Sequence, residues 1–243
     1  MKKWMGLGMS ALLLIAALTG CGTTQQETAS NEISVSQTDS HYPVTVESYN
    51  YAGDVVTTTY EKAPERVIAV YQGSIETMLA LGLEEHVVAS YGLDNAVKEE
   101  WEDGLSKMNY HEEVFAPSKE DVMMLEPDMI FSWGSLFGEK KLGDVDQWIS
   151  RGTNTYINTN TRAGGYDRTL EHEYTDILNI GKIFDVEEKA QALVDEMKQE
   201  IEDALAKTKG KEAQTVSVIE FLNDDISNYG ASSLAGDMIT QLG

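Results

Sequence analysis

Cys21 is the only cysteine in a chain of 243 residues. One thiol rules out an internal disulfide framework and any cysteine-rich metal site within a single chain. Basic side chains are also scarce. Lys and Arg together number 18, only four of them arginine, against 41 Asp and Glu, and the formal net charge is −23. Binding to a nucleic-acid backbone rests on Lys and Arg displacing counterions, so DNA and RNA are excluded as partners. The sequence contains no Gly-x-Ser-x-Gly elbow, no Walker loop and no His-Glu-x-x-His pair, so the signatures of an activated serine, of nucleotide hydrolysis and of zinc proteolysis are all absent. The four histidines, His41, His86, His111 and His172, are scattered, whereas capture of zinc or manganese needs several ligands converging. Carboxylates are plentiful, but no pair has a recognisable acid–base context, which demotes a hydrolase.

Long apolar runs are missing too, with one short exception at the start. Met1-Lys2-Lys3 is positive, Trp4 to Leu18 is apolar with small residues, and Leu18-Thr19-Gly20-Cys21 closes the run. It is shorter than the roughly 20 apolar residues a spanning helix needs, so residues 1–20 read as a secretory signal. The closing four residues resemble the bacterial lipobox, in which cleavage precedes the cysteine and the thiol carries a diacylglycerol. That resemblance implies a lipid on Cys21, no other covalent group, and an extracytoplasmic place at the bacterial cell membrane. Losing the leader removes Lys2 and Lys3 and no acid. No basic patch is then left to hold anionic lipid, and the acyl chains must supply the attachment. Residues 21–42, rich in Thr, Gln, Ser, Glu and Asn, read as a flexible tether.

Beyond the tether, Val44 to Ser48 and Val55 to Tyr60 alternate like two strands of a hairpin. After Pro64 the pattern changes: Arg66-Val67-Ile68-Ala69-Val70 is a continuous apolar run, as in a strand covered on both faces. A helix from Ile75 to Leu81 follows, stopped by Gly82. Strand Val87 to Ser90, helix Ser118 to Leu125, strand Asp128 to Ser132, helix Val145 to Ser150 and strand Thr155 to Asn158 repeat the cycle. Such alternation predicts an α/β fold with a largely parallel sheet. A helix is predicted from Thr169 to Phe184 and, capped by Asp185, a second from Glu187 to about Lys209. In the latter, Ala190, Leu193, Val194, Met197, Ile201, Ala204 and Leu205 share one face. Past Gly210, Thr215 to Phe221 reads as a strand and Ser232 to Leu242 as a helix. One strand and one helix bury no core of their own, so a second lobe is expected here only in part.

The segments Ala63-Pro64-Glu65-Arg66-Val67-Ile68, Glu76-Thr77-Met78-Leu79-Ala80-Leu81-Gly82-Leu83, Ser118-Lys119-Glu120-Asp121, Leu125-Glu126-Pro127-Asp128-Met129-Ile130, Ile180-Gly181-Lys182-Ile183-Phe184 and Glu188-Lys189-Ala190 occur in this order behind the lipobox. Together they resemble the solute-binding lipoproteins of bacterial ABC importers, in the class that carries iron-siderophores, haem or cobalamin. The resemblance covers about residues 43–243. It implies a periplasmic-binding-protein-like fold of two lobes: a parallel-sheet N-terminal lobe at 43–186, a long interlobe helix at 187–210 and the start of a C-terminal lobe, truncated, at 211–243. It also implies a monomer that captures a ferric siderophore or related iron chelate, docks on an importer permease and performs no catalysis. Haem or cobalamin fits the same architecture. Direct zinc or manganese capture, a lipid-anchored hydrolase and a chain with no transport activity are the weaker alternatives.

In open parallel sheets the ligand crevice lies beyond the carboxyl ends of the strands. That rule selects Tyr71 and Gln72 after the first strand of the sheet, Tyr91 after the second, Trp133 after the third, and Thr159, Asn160 and Arg162 after the fourth. Tyr and Trp offer a broad apolar face with one polar edge, suited to a bulky chelate. Arg162 and Arg168, beside Tyr166 and Gly164-Gly165, pair naturally with ligand carboxylates or catecholate oxygens. Glu220 to Asn223 and Tyr229 occupy the facing strand end. Ser118 predicts an N-cap with Asp121 at capping-box spacing, which puts Glu120 in a first helical turn where the helix dipole favours a carboxylate. The resemblance implies that Glu120 meets a permease arginine. Glu76 also matches a recurring family acid, but within a helix it is read as structural or solvated.

Overall fold

The computed structural model describes residues 40–243 apart from 213 and 224. The predicted leader, the lipidation residue Cys21 and the tether up to residue 39 lie outside the described residues. Strands β1 (Val44–Tyr49) and β2 (Val55–Tyr60) form the predicted antiparallel hairpin, with Val44 opposite Tyr60 and Tyr49 opposite Val55. Then come β3 (Val67–Val70), α1 (Gln72–Ala80), β4 (Val87–Tyr91), α2 (Glu102–Lys107), α3 (Lys119–Met124), β5 (Met129–Ser132), α4 (Val145–Ile149) and β6 (Asn154–Ile157). The four strands β3 to β6 make one parallel sheet in the order β4-β3-β5-β6.

Alternate residues of each strand feed opposite faces. Val67, Ala69, Met129, Phe131 and Tyr156 pack with Ile75 and Met78 of α1 and with the long C-terminal helices. Ile68, Val70, Ile130 and Ile157 pack with Val122, Phe137, Leu142, Val145 and Trp148 on the other side. Both faces being covered is why β3 and β5 are buried at every position. This is an α/β fold built on a parallel sheet, as the alternation of the sequence predicts.

Helix α5 (Leu170–Ile183) and the 22-residue α6 (Glu187–Thr208) are antiparallel neighbours. A Cβ on Gly181 would collide with the Cβ of Ala190, so a glycine at this crossing lets the two backbones approach. Of the predicted apolar stripe, Ala190 and Val194 are buried, Leu193, Met197 and Ile201 pack partly against the same core, and Leu205 is exposed. Asp185 does not cap α6 as predicted. It takes φ 57 and turns the chain, while Val186 occupies the cap position with no side-chain bond.

Two further differences have local causes. Helix α2 was not predicted, because its Glu102-Asp103-Gly104-Leu105 segment is short, acidic and without apolar period. The strand predicted at Thr215 to Phe221 is β7 (Val218–Leu222), which turns through Asn223 at φ 48 into an unpredicted antiparallel partner, β8 (Asp225–Tyr229). Helix α7 (Leu234–Gln241) follows as expected. It returns to α5: Asp237 accepts from Leu170 N at 2.8 Å, and Ser232 O from Arg168 N at 3.0 Å. Among the described residues no helix is long and apolar enough to cross a membrane.

Candidate functional site

The wall at the carboxyl ends of the strands is built around Tyr71. Its backbone has φ 86 and ψ 153, a region that only glycine enters without strain, at a cost of about 1–3 kcal/mol. Neighbouring bonds enforce it: Tyr71 N donates to Tyr91 O at 2.8 Å and Tyr71 O accepts from Ile75 N at 3.1 Å. The result is a half-buried phenol set edge-on against Trp133, with ring centroids 4.4 Å apart at 64°. Trp133 directly follows β5 and is itself followed by Gly134, whose N–H donates to Thr161 Oγ1 at 2.9 Å and whose absent Cβ would lie 2.7 Å from Thr161 O. Glycine there lets the Trp133 loop sit directly on the 3₁₀ turn Thr159–Thr161.

Between the two rings and Phe115, Ser132, Ser135, Leu136 and Lys141 lies a recess of about 120 Å³. That is well below the roughly 300–1,000 Å³ of a site enclosing a whole ligand, so the recess has room for no more than one edge of such a molecule. Larger hollows lie along α5 and α6 (about 720 Å³) and between the ends of α6 and α7 (about 770 Å³). Both are open and have no aromatic lining, and neither adjoins the strand ends.

The other predicted residues divide by what their side chains already hold. Gln72 donates to Glu76 at 2.7 Å and accepts from the backbone N–H groups of Asp94 and Asn95, both at 3.1 Å. It anchors the loop after β4, and Glu76 is its partner within α1. Tyr91 is only 4% exposed and stacks on His111 at 4.6 Å and 11°, so it supports the wall from behind. Arg162 lies over Tyr49 at 4.6 Å and over Tyr166 at 3.9 Å from the ring centroids. Tyr166 in turn places its hydroxyl 2.8 Å from Arg162 O and 3.0 Å from Thr159 O. These contacts pin the 162–166 loop to the hairpin.

Arg168 is exposed, and its charge reaches three phenols. Burial raises the pKa of Tyr71 and Tyr166, and hydrogen bonding to Glu220 raises that of Tyr229; Arg168 opposes each shift. Tyr71, Trp133, Tyr166, Arg168 and, from β8, Tyr229 thus share one neighbourhood. Glu120 is exposed in the first turn of α3, which Ser118 caps by accepting from Asp121 N at 3.1 Å.

Beneath this surface lies a polar layer. Asn160 donates to Glu173 at 2.6 Å and to Thr169 O at 2.8 Å, and its Oδ1 faces His172 Nδ1 at 3.0 Å. Asp176, wholly buried, accepts from Tyr156 OH at 2.8 Å, Thr159 N at 2.7 Å and Thr159 Oγ1 at 2.6 Å. Burial raises its pKa to about 7, the three donors oppose that, and nearby Glu173 adds to it. Burial likewise raises Glu173 and lowers His172. Sequence reasoning missed Phe115, Lys141, Tyr49, Glu173 and Asp176 as parts of this region. The first three sit on loops or the hairpin with no distinguishing motif, and the two acids look like any others on an amphipathic helix.

Comparison with known proteins agrees with this architecture. The family described as periplasmic binding protein matches residues 67–243. A periplasmic binding protein from Veillonella parvula superposes with a TM-score of 0.76 at 32% identity, over 83% of this chain and 64% of its own. The petrobactin-binding protein YclQ of Bacillus subtilis superposes at 0.60 with 25% identity, over 83% and 65%. The ABC transporter substrate-binding lipoprotein YvrC of Bacillus subtilis is 26% identical over 98% of this chain and 71% of its own. The chain therefore spans about two thirds of the length of these relatives. With the family match running unbroken from β3 to α7, the chain belongs to the periplasmic binding protein family.

Proposed function

We propose that this protein is the solute-capturing component of an ABC importer, held outside the cell by a lipid on Cys21, and that its solute is a ferric siderophore or related iron chelate. The observation that carries the reading is the strained Tyr71, held edge-on to Trp133 at the strand ends. Strain of this kind persists where function uses the geometry, and paired aromatic faces suit a bulky, partly apolar chelate. Lys141 at the recess and exposed Arg168 put positive charge beside the rings in a chain of net charge −23. Asp94, Glu173 and Glu220 lie beside the same phenols, so the two cations offer individual partners to ligand oxygens and not a positive field. YclQ, with the same fold, is a petrobactin-binding protein, and YvrC is an ABC transporter substrate-binding lipoprotein. Capture and release require no chemistry, and none is proposed.

We further read residues 43–186 as one lobe, α6 as the connector and residues 211–243 as part of a second lobe. Phe221 and Ile226, 72% and 65% exposed on β7 and β8, support that reading, because such side chains ordinarily find cover. The test is a tryptophan-fluorescence titration of the lipid-free protein with ferric catecholate, hydroxamate and carboxylate siderophores, haem and cobalamin. A saturable change with one iron chelate is expected, weakened by roughly tenfold in Trp133→Ala, as the loss of an aromatic contact of about 1.4 kcal/mol dictates. A folded protein that responds to none of these ligands overturns the proposal.

A further inference from the structure

Three potential cation ligands meet at the opposite end of α5 from the aromatic wall. His41, just ahead of β1, reaches the joint where α5 ends and α6 begins. There Asp185 adopts φ 57 and Val186 N donates back to Gly181 O at 2.8 Å, a turn that brings Asp185 and Glu187 to one side. Asp185 Oδ1 and Glu187 Oε1 each lie 3.3 Å from His41 Nδ1, and the three donor atoms all fall within 4.8 Å of one another. The other ring nitrogen, Nε2, is 2.7 Å from Lys182 O. A carbonyl only accepts, so Nε2 carries the hydrogen. In the neutral ring Nδ1 then presents a lone pair to two carboxylates, an arrangement that a cation among them would hold together.

The cation is either a second proton on the ring or a metal ion, and the distances favour the metal. A charge-assisted N–H···O bond closes to about 2.7–2.9 Å. Donors bound about 2.0–2.1 Å from a tetrahedral ion stand about 3.3 Å apart, the spacing found on both sides of Nδ1. A backbone carbonyl on the remote nitrogen is also the usual way a ligating histidine is oriented and made more basic. Tyr42 packs edge-on to the ring at 4.5 Å and fixes its plane. Lys182, whose carbonyl meets the ring, directs its ammonium to Thr45 O at 2.9 Å. The two carboxylates are 60% and 47% exposed and the imidazole 18%. The acids therefore have room to close on an ion, and water has room to complete its shell.

We propose that His41, Asp185 and Glu187 form a binding site for one divalent transition metal of the zinc type, which clamps the segment preceding β1 to the α5–α6 joint. An imidazole with two carboxylates suits such an ion, whereas calcium and magnesium ask for more oxygen ligands. The 14 residues of α5, about 21 Å at 1.5 Å each, separate this site from the aromatic wall. The ion is therefore a structural clamp and not cargo, and the inference stands apart from the identity of the solute.

The test strips the protein with a chelator, dialyses it, and measures zinc bound at equilibrium from micromolar solution with no siderophore present. The expected result is one zinc per chain, with a higher urea midpoint when zinc is present. His41→Ala should abolish both effects. Asp185→Asn and Glu187→Gln should each weaken binding by more than about tenfold, the least that disturbing a metal's surroundings costs. Glu188→Gln, an exposed acid next door, should change nothing. If folded His41→Ala takes up zinc as the parent does, the acidic surface binds it diffusely and the proposal fails. It also fails if the folded parent binds no zinc under these conditions.

Discussion

At the scale of single residues, the positions that carry the family resemblance and those that form the aromatic wall do different things. Arg66 donates to the carbonyls of Glu126 and Leu125, the last of the α3 turn, while Asp128 accepts from the backbone N–H groups of Glu65 and Arg66, both at 2.8 Å. The Pro-Glu-Arg-Val and Glu-Pro-Asp motifs are thus two halves of one lock between β3 and β5, readable as a pattern in the sequence but structural in purpose. Tyr71 is the reverse: no motif marks it, and its backbone is where strain is stored. Tyr71→Ala and Tyr71→Gly both remove the ring, but only glycine relaxes at φ 86. The glycine variant should therefore unfold at higher urea than the alanine variant, by about 1–3 kcal/mol, while both lose solute affinity alike. Equal midpoints would mean that Tyr71 carries no backbone strain.

Among elements, periodicity was a good guide wherever burial is one-sided or complete. The parallel strands, the hairpin, α5 and α6 all follow it, because a face that packs must be apolar at the period of its element. It failed for α2 and β8, which are exposed and have no apolar period. It was also silent on how α5 meets the turn Thr159–Thr161. That junction is the buried carboxylate of Asp176, holding Thr159 and Tyr156. The group's pKa rises from 3.8 to about 7 on folding, so the native state binds its proton more tightly than the unfolded chain. Its contribution to stability is complete below about pH 4, declines as pH rises toward 7 and is gone above it. Asp176→Asn removes that dependence, and its amide cannot accept from all three donors. Below pH 4 the variant should be less stable by about 1 kcal/mol, and the difference should close or reverse by pH 8. Urea midpoints across this range test the point, other groups cancelling between the two proteins. Parallel curves would show that Asp176 does not titrate there.

Taken as a whole, the molecule is strongly acidic, yet Lys141 and Arg168 flank the aromatic wall. Glu120 stands exposed on capped α3, and its proposed role is to meet a basic group on the permease. Glu120→Lys should cost only about 0.3–1 kcal/mol of stability through the helix dipole and leave solute affinity intact. Importer-dependent uptake should nevertheless fall sharply, as a like-charge contact in an interface requires. Normal uptake by the variant would leave Glu120 with its helix-dipole role alone.

The sequence by itself determined the α/β class, the order of the parallel strands' units, the two long helices and the edge of the sheet where a ligand would lie. Each follows from local periodicity and from strands having a direction. Tertiary structure alone decided which candidates face that edge. Gln72 and Tyr91 turned inward to serve the loops behind it, Arg162 became wedged between Tyr49 and Tyr166, and Phe115 and Lys141 arrived from a distance. Side chains far apart in sequence compete for the same few partners, and only packing in three dimensions settles that competition. For the same reason His41, at the end of a polar run, gave no sign that it would meet Asp185 and Glu187 across more than 140 positions.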